Sequence, residues 1–141
     1  LAAIAIPNLL RARLSANEAA AAAAMKTICA AQIQWRATHP GFAGSNLSGE
    51  GDDGLAALGA TAPPYIDATL ASGTKQAYNF AIVGPTATQF FATGVHGAAT
   101  PQAHPFYIDE AGVLCRGDAP DTPAASAHAG GLCPANYHEV D

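Results

Sequence analysis

The chain has 141 residues, half of them hydrophobic, with 12% charged and a net charge of −5. That balance excludes a largely disordered chain, and the length is that of one domain able to bury roughly two thirds of its unfolded surface. Six Lys or Arg residues are too few for the basic stripe of a nucleic-acid binder, so no nucleic-acid site is expected.

The chain opens on Leu1-Ala-Ala-Ile-Ala-Ile-Pro7-Asn-Leu-Leu10, followed by Arg11-Ala-Arg13. A membrane-spanning helix needs about 20 apolar residues, and this run supplies about half. It reads as the distal half of a longer hydrophobic helix. From Asn8 to about Ala37 the residues favour helix, with an unbroken alanine run from Ala19 to Ala24 and no Gly or Pro before Pro40-Gly41. Leu14, Ala21, Met25, Ile28, Cys29 and Gln32 fall on one stripe at helical spacing, flanked by Ile33 and Trp35; Lys26, Thr27 and Gln34 fall on the other side. The spacing predicts that residues 15–38 pack on a sheet, through Leu14, Met25, Ile28 and Cys29 above all. Residues 1–14 are apolar on every side up to Leu10. A helix over residues 1–38 is a rod of roughly 55 Å, longer than a domain of this size is wide, so one end must protrude.

The remaining residues, 39–141, are expected to form a globular head. Residues 39–75 are rich in Gly, Ser, Pro and Asp and read as a connecting region, with short helical pieces at Gly54–Leu58 and Tyr65–Ala71. Asn46-Leu47-Ser48 matches a glycosylation sequon, a short pattern that often arises by chance. Over residues 76–116, Tyr78, Phe80 and Ile82 alternate with Asn79, Ala81 and Val83. Then come Gln89–Val95, Phe106–Asp109, a turn at Glu110-Ala-Gly112, and Val113–Arg116. Tight turns between these runs predict an antiparallel meander of three or four strands. Residues 117–141 carry little strand pattern and read as a C-terminal loop. Helix first and sheet after makes an α+β fold, with the helix on one sheet face.

Three cysteines without a Cys-x-x-Cys pair remove the usual zinc-ribbon, thioredoxin and haem-attachment readings. One bridge plus one free buried thiol is the simplest arithmetic, and it points to an oxidising compartment. His128, Cys133 and His138, with Cys115 near in sequence, are an irregular set for a zinc site. Asp118 and Asp121 lack the pattern of a calcium loop. Ser15 lies mid-helix, no Gly-x-Ser-x-Gly elbow exists, and the acid pairs Asp52-Asp53 and Asp109-Glu110 sit at turns where acids are common. Ser15-x-x-Glu18 fits a capping box, but the helix runs through it, so a solvated or filament-packed face is expected there. No catalytic role, metal or cofactor is expected.

The segment Leu1-Ala-Ala-Ile-Ala-Ile-Pro-Asn-Leu-Leu-Arg-Ala-Arg-Leu-Ser-Ala-Asn-Glu-Ala19 resembles the N-terminal helix of bacterial type IV pilins. Lys26-Thr-Ile28, Ala31-Gln32, Ile66-Asp67, Leu70–Lys75, Tyr78-Asn-Phe80, Phe106–Asp109 and Gly112-Val113 resemble short major pilins in the same order, so the likeness extends to about Arg116. It implies a long protruding N-terminal α-helix packed on a three- to four-stranded antiparallel sheet. It implies a homo-oligomer, a helical filament on the cell surface assembled from the inner membrane by the pilus machinery, with adhesion, motility or DNA uptake as its uses. In that family a prepilin peptidase cuts before a methylated Phe or Met, with a docking Glu soon after. That segment is expected to precede Leu1 by roughly ten to fifteen residues if a full span is to be completed. The rival within secretion systems is a type II pseudopilin; the rival of another class is a soluble, metal-linked binding module.

On this resemblance, Leu1, Ala2, Ile4, Ile6, Pro7, Leu9 and Leu10 pack the filament core, where alanines permit close helix approach. Arg11 and Arg13 are expected to meet acids of neighbouring subunits. Cys115 and Cys133 are expected to be joined, as in the disulfide-bounded terminal region of many pilins, with Cys29 free on the stripe. Thr122-Pro123-Ala-Ala-Ser126 has mucin-like composition. Pro7 interrupts helical hydrogen bonding. In an assembled filament the stretch from Leu1 to about Pro7 is expected to be non-helical, as in the pilins it resembles, with helix resuming near Asn8.

Overall fold

The computed structural model describes residues 2–98 and 103–140, with side chains from residue 9 onward inside the first helix. Helix α1, Ala2–Arg36, opens the chain and contains Pro7. At 1.5 Å per residue it is about 52 Å long. Its end is held by Arg36, whose Nε donates to Ala87 O (2.7 Å) and Nη1 to His39 O (2.8 Å). Trp35 stacks on His39 at 3.8 Å, so the chain turns back before Pro40.

Residues 39–75 carry the two short helical pieces expected of them, and add a short strand. They form α2 (Gly54–Gly59), α3 (Ala68–Ala71) and the short strand β1 (Thr74–Lys75). Asp53 and Asp67 cap the two helices, accepting from Ala56 N (3.1 Å) and Leu70 N (3.2 Å). This gives the orphan amides of each first turn a partner. Phe42, Leu55, Leu58, Ile66 and Leu70 are buried with the main core. Gln32, also fully buried, clamps this region to α1. Its Nε2 donates to Ala43 O (3.0 Å) and its Oε1 accepts from Ala43 N (2.8 Å). Both ends of the amide are satisfied, which removes the cost of burying it.

The fold is α+β, with one antiparallel sheet of six strands in sequential order, two or three more than expected. Beyond β1 these are β2 (Tyr78–Val83), β3 (Phe91–His96), β4 (Phe106–Asp109), β5 (Cys115–Gly117) and β6 (Tyr137–Glu139). The two added strands lie at the edges. β1 joins β2 through Gln76 and Ala77, both at positive φ (53° and 65°). Two consecutive left-handed residues make the tight hairpin turn that usually takes Asn-Gly, which is why the sequence pattern hid it. β6 pairs with β5 across the long loop, Arg116 opposite His138, so residues 117–141 are not all loop.

Sheet alternation sorts the side chains. Tyr78, Phe80, Ala92, Phe106 and Ile108 face α1 in the main core, with Ala21, Met25, Ile28 and Cys29. Leu14 is half-buried at the edge of this core. Gly94 on β3 lets the helix come close: a Cβ there would sit 2.9 Å from the Phe80 ring and 3.2 Å from Met25 Sδ. Phe91, Tyr107 and Cys115 face the other way, into a smaller cluster roofed by Val113, Ala125, Ala129, Cys133 and Tyr137.

Candidate assembly surface

Helix α1 outruns the sheet. Residues 9–13 are all exposed, and burial begins only at Leu14, Asn17 and Glu18. Leu9 and Leu10 each keep 57% of their surface open, two adjacent exposed leucines directly before Arg11 and Arg13. Arg11, Arg13 and Lys26 pair with no acid among the described residues. Leu1 lies outside the described residues, as do the side chains of Ala2, Ile4, Ile6 and Pro7. No helix among the described residues is long and apolar enough to cross a membrane.

Where α1 leaves the sheet, a polar clamp holds it. Glu18 Oε1 accepts from Arg116 Nη2 (2.7 Å), and Oε2 accepts from the His104 amide (3.4 Å). His104 Nδ1 lies between the two, 2.7 Å from Arg116 Nη2 and 3.1 Å from Glu18 Oε2. Tyr78 OH donates to His104 O at 2.7 Å, tying the clamp to β2. Glu18 is only 17% exposed. The solvated or filament-packed face expected at Ser15–Glu18 is therefore corrected at Glu18, which turns inward to meet a partner 98 positions away. No local pattern could show such a pairing.

The C-terminal loop is held by covalent and polar links. Cys115 and Cys133 form a disulfide, with Cα atoms 5.6 Å apart. Neither sulfur is then free to ligate a metal, which removes the Cys/His zinc set. Cys29 is a free, buried thiol donating to Asp109 O (3.4 Å). Burial, then the nearby charges of Asp109 and Glu110, push it up to about 11. A thiol held that far from ionisation is a poor nucleophile at neutral pH.

Asp109, Glu110 and His128 converge on the loop side of β4, their ligand atoms within 4.8 Å of one another. Asp109 Oδ2 accepts from Tyr107 OH (2.9 Å) and Gly131 N (3.0 Å), and Oδ1 from Ala111 N (3.0 Å). His128 Nδ1 accepts from Gly130 N (3.0 Å), which leaves Nε2 as the protonated nitrogen facing Glu110 Oε2 at 2.7 Å. A metal on Nε2 needs the proton on Nδ1, where the Gly130 amide already points. The trio therefore suits fastening the loop better than holding an ion. Sequence reading placed Asp109 and Glu110 at a turn and His128 in the loop, but their meeting depends on the fold.

No protein-family model, curated protein or solved structure matches this chain.

Proposed function

We propose that this chain is the structural subunit of a type IV pilus-like filament, displayed outside the cell and built by packing the protruding helices of many copies. The observation that carries the reading is the stretch from Leu9 to Arg13, helical and exposed on every side beyond the end of the sheet. Open leucines on a projecting rod are costly in water and favourable against a second helix. The alanines that follow allow helix axes to approach closely. The resemblance of residues 1–19 to pilin helices supports the same reading, as does an α+β head with the helix on one sheet face. The disulfide and the many links on the C-terminal loop suit a head that faces an oxidising exterior. In this reading the chain's work is assembly, the heads forming the filament surface.

Immunogold labelling with antibodies to the head tests it. Labelled filaments on cells producing the full-length protein are expected, and their loss on deletion of its gene. Label found only on dispersed protein, with no filament, overturns the reading.

A further inference from the structure

The charges of this molecule are segregated, and among the described residues no ion pair joins the two groups. Of its six cations, Lys75 pairs with Asp67, Arg116 with Glu18, and Arg36 is spent on backbone carbonyls. Arg11, Arg13 and Lys26 remain, all exposed on α1. Glu50, Asp52 and Asp53 gather acid on the loop before α2; Glu50 accepts from the Asn46 and Ser48 amides and Asp53 caps α2, but no Lys or Arg pairs with any of the three among the described residues. Asp52 and Asp53 stand at the lip of an open cleft of about 440 Å³, whose floor includes Leu55, Phe80 and Ile82. An acidic lip over an apolar floor suits a long cationic side chain, which lays its methylenes on the floor and its charge at the rim.

Arg11 and Arg13 of the same copy cannot reach the cleft. Gln32 holds Ala43, and the Ala43 carbonyl packs directly against Gly54, so the acidic loop stands level with Gln32 on α1. Arg13 lies about 28 Å further along the helix at 1.5 Å per residue. We infer that the Asp52–Asp53 cleft receives the Arg11–Arg13 turn of a second copy, staggered along the helix axis by about 30 Å. The inference rests on the proposed filament and sets the register of its subunits. Arg11 and Arg13, two positions apart, point to opposite flanks of the helix, so a given cleft takes one of them. Exposed charge pairs are worth little singly, but repeated along an assembly they select one stagger over others.

The test uses filaments from cells producing the full-length protein with R11K or R13K, treated with a zero-length carbodiimide that joins a lysine amine to a carboxylate. Peptide mapping is expected to find position 11 or 13 joined to Asp52 or Asp53, a link that about 28 Å forbids within one copy. In the added presence of D52N/D53N, which keeps an asparagine cap on α2, that link is lost. Links from positions 11 and 13 only to other acids, or filaments with no such link, overturn the cleft while leaving the filament standing. Absence of filaments from the parent strain overturns the filament and this inference together.

Discussion

Glu18 of α1 and Arg116 of β5 meet at 2.7 Å, and this contact marks the level at which the helix stops belonging to the head. Toward the N-terminus residues 9–13 are exposed; beyond it, from Ala21 onward, one face of the helix enters the core. Burying the carboxylate to 17% exposure without its partners would be costly, so the helix is anchored at one height. Glu18→Ala should destabilise the head by about 2 kcal/mol, because it also strips a half-buried guanidinium of its acceptor. Chemical denaturation measures it. In a cycle with Arg116→Met the two losses should fall short of additivity by roughly 1 kcal/mol; strict additivity contradicts a direct pairing.

Replacing Cys115 and Cys133 by serine should cost about 3 kcal/mol. The loss should concentrate in the loop they enclose. Hydrogen exchange at Ala129 and Gly131, whose amides donate to Tyr107 and Asp109, should accelerate before exchange in β2 and β3 does. Uniform acceleration across the sheet is the opposing result.

Gly94→Ala should cost about 1–3 kcal/mol, since the added methyl meets the Phe80 ring and Met25 where helix and sheet are closest. Gly49→Ala is a control with a different origin of strain: nothing stands near it, but its φ is +79°. Pairing Gly94→Ala with Met25→Ala should recover part of the loss. If no recovery appears, helix proximity is not the cause.

Alkaline pH should unfold the head. Cys29 is raised to about 11 by burial and by Asp109 and Glu110, and burial first also raises Tyr78 and Tyr107. In each case the folded state favours the protonated form. That stabilisation is fully present below the unfolded pKa and is lost as pH climbs toward the folded one. Stability should therefore fall from about pH 9 upward through 11. Absorbance titration should show Tyr78 and Tyr107 ionising together with loss of circular dichroism. Ionisation of both in a still-folded head would count against their burial.

Pro7 lies within α1, and a proline offers a helix no amide and favours a kink. In the proposed filament, residues from Leu1 to about Pro7 are predicted to be extended, with helix resuming near Asn8. Extended chain covers about 3.3 Å per residue against 1.5 Å in helix, so these filaments should lengthen under load. A filament map with unbroken helix through Ala3–Leu10, or undiminished extension in a Pro7→Ala variant, would refute this.

The amino-acid sequence by itself determined what depends on neighbours along the chain. The 3.6-residue stripe through Ala21, Met25 and Ile28 marked the buried face of α1, because helical geometry alone aligns those positions. The alternation of Tyr78 and Phe80 marked the core face of β2 for the same reason. Tertiary structure decided what depends on distant partners. Gln76-Ala77 turns only because pairing β1 with β2 repays two left-handed residues that local preference disfavours. β6 is too short to announce itself, and it forms beside β5 because the disulfide from Cys115 to Cys133 returns the chain there. Glu18, Asp109 and His128 each looked like an ordinary polar residue of a helix, a turn and a loop. Folding brings Arg116 to the first and sets the other two against each other, and burial makes such unions obligatory because an unpaired charge there has no water to turn to.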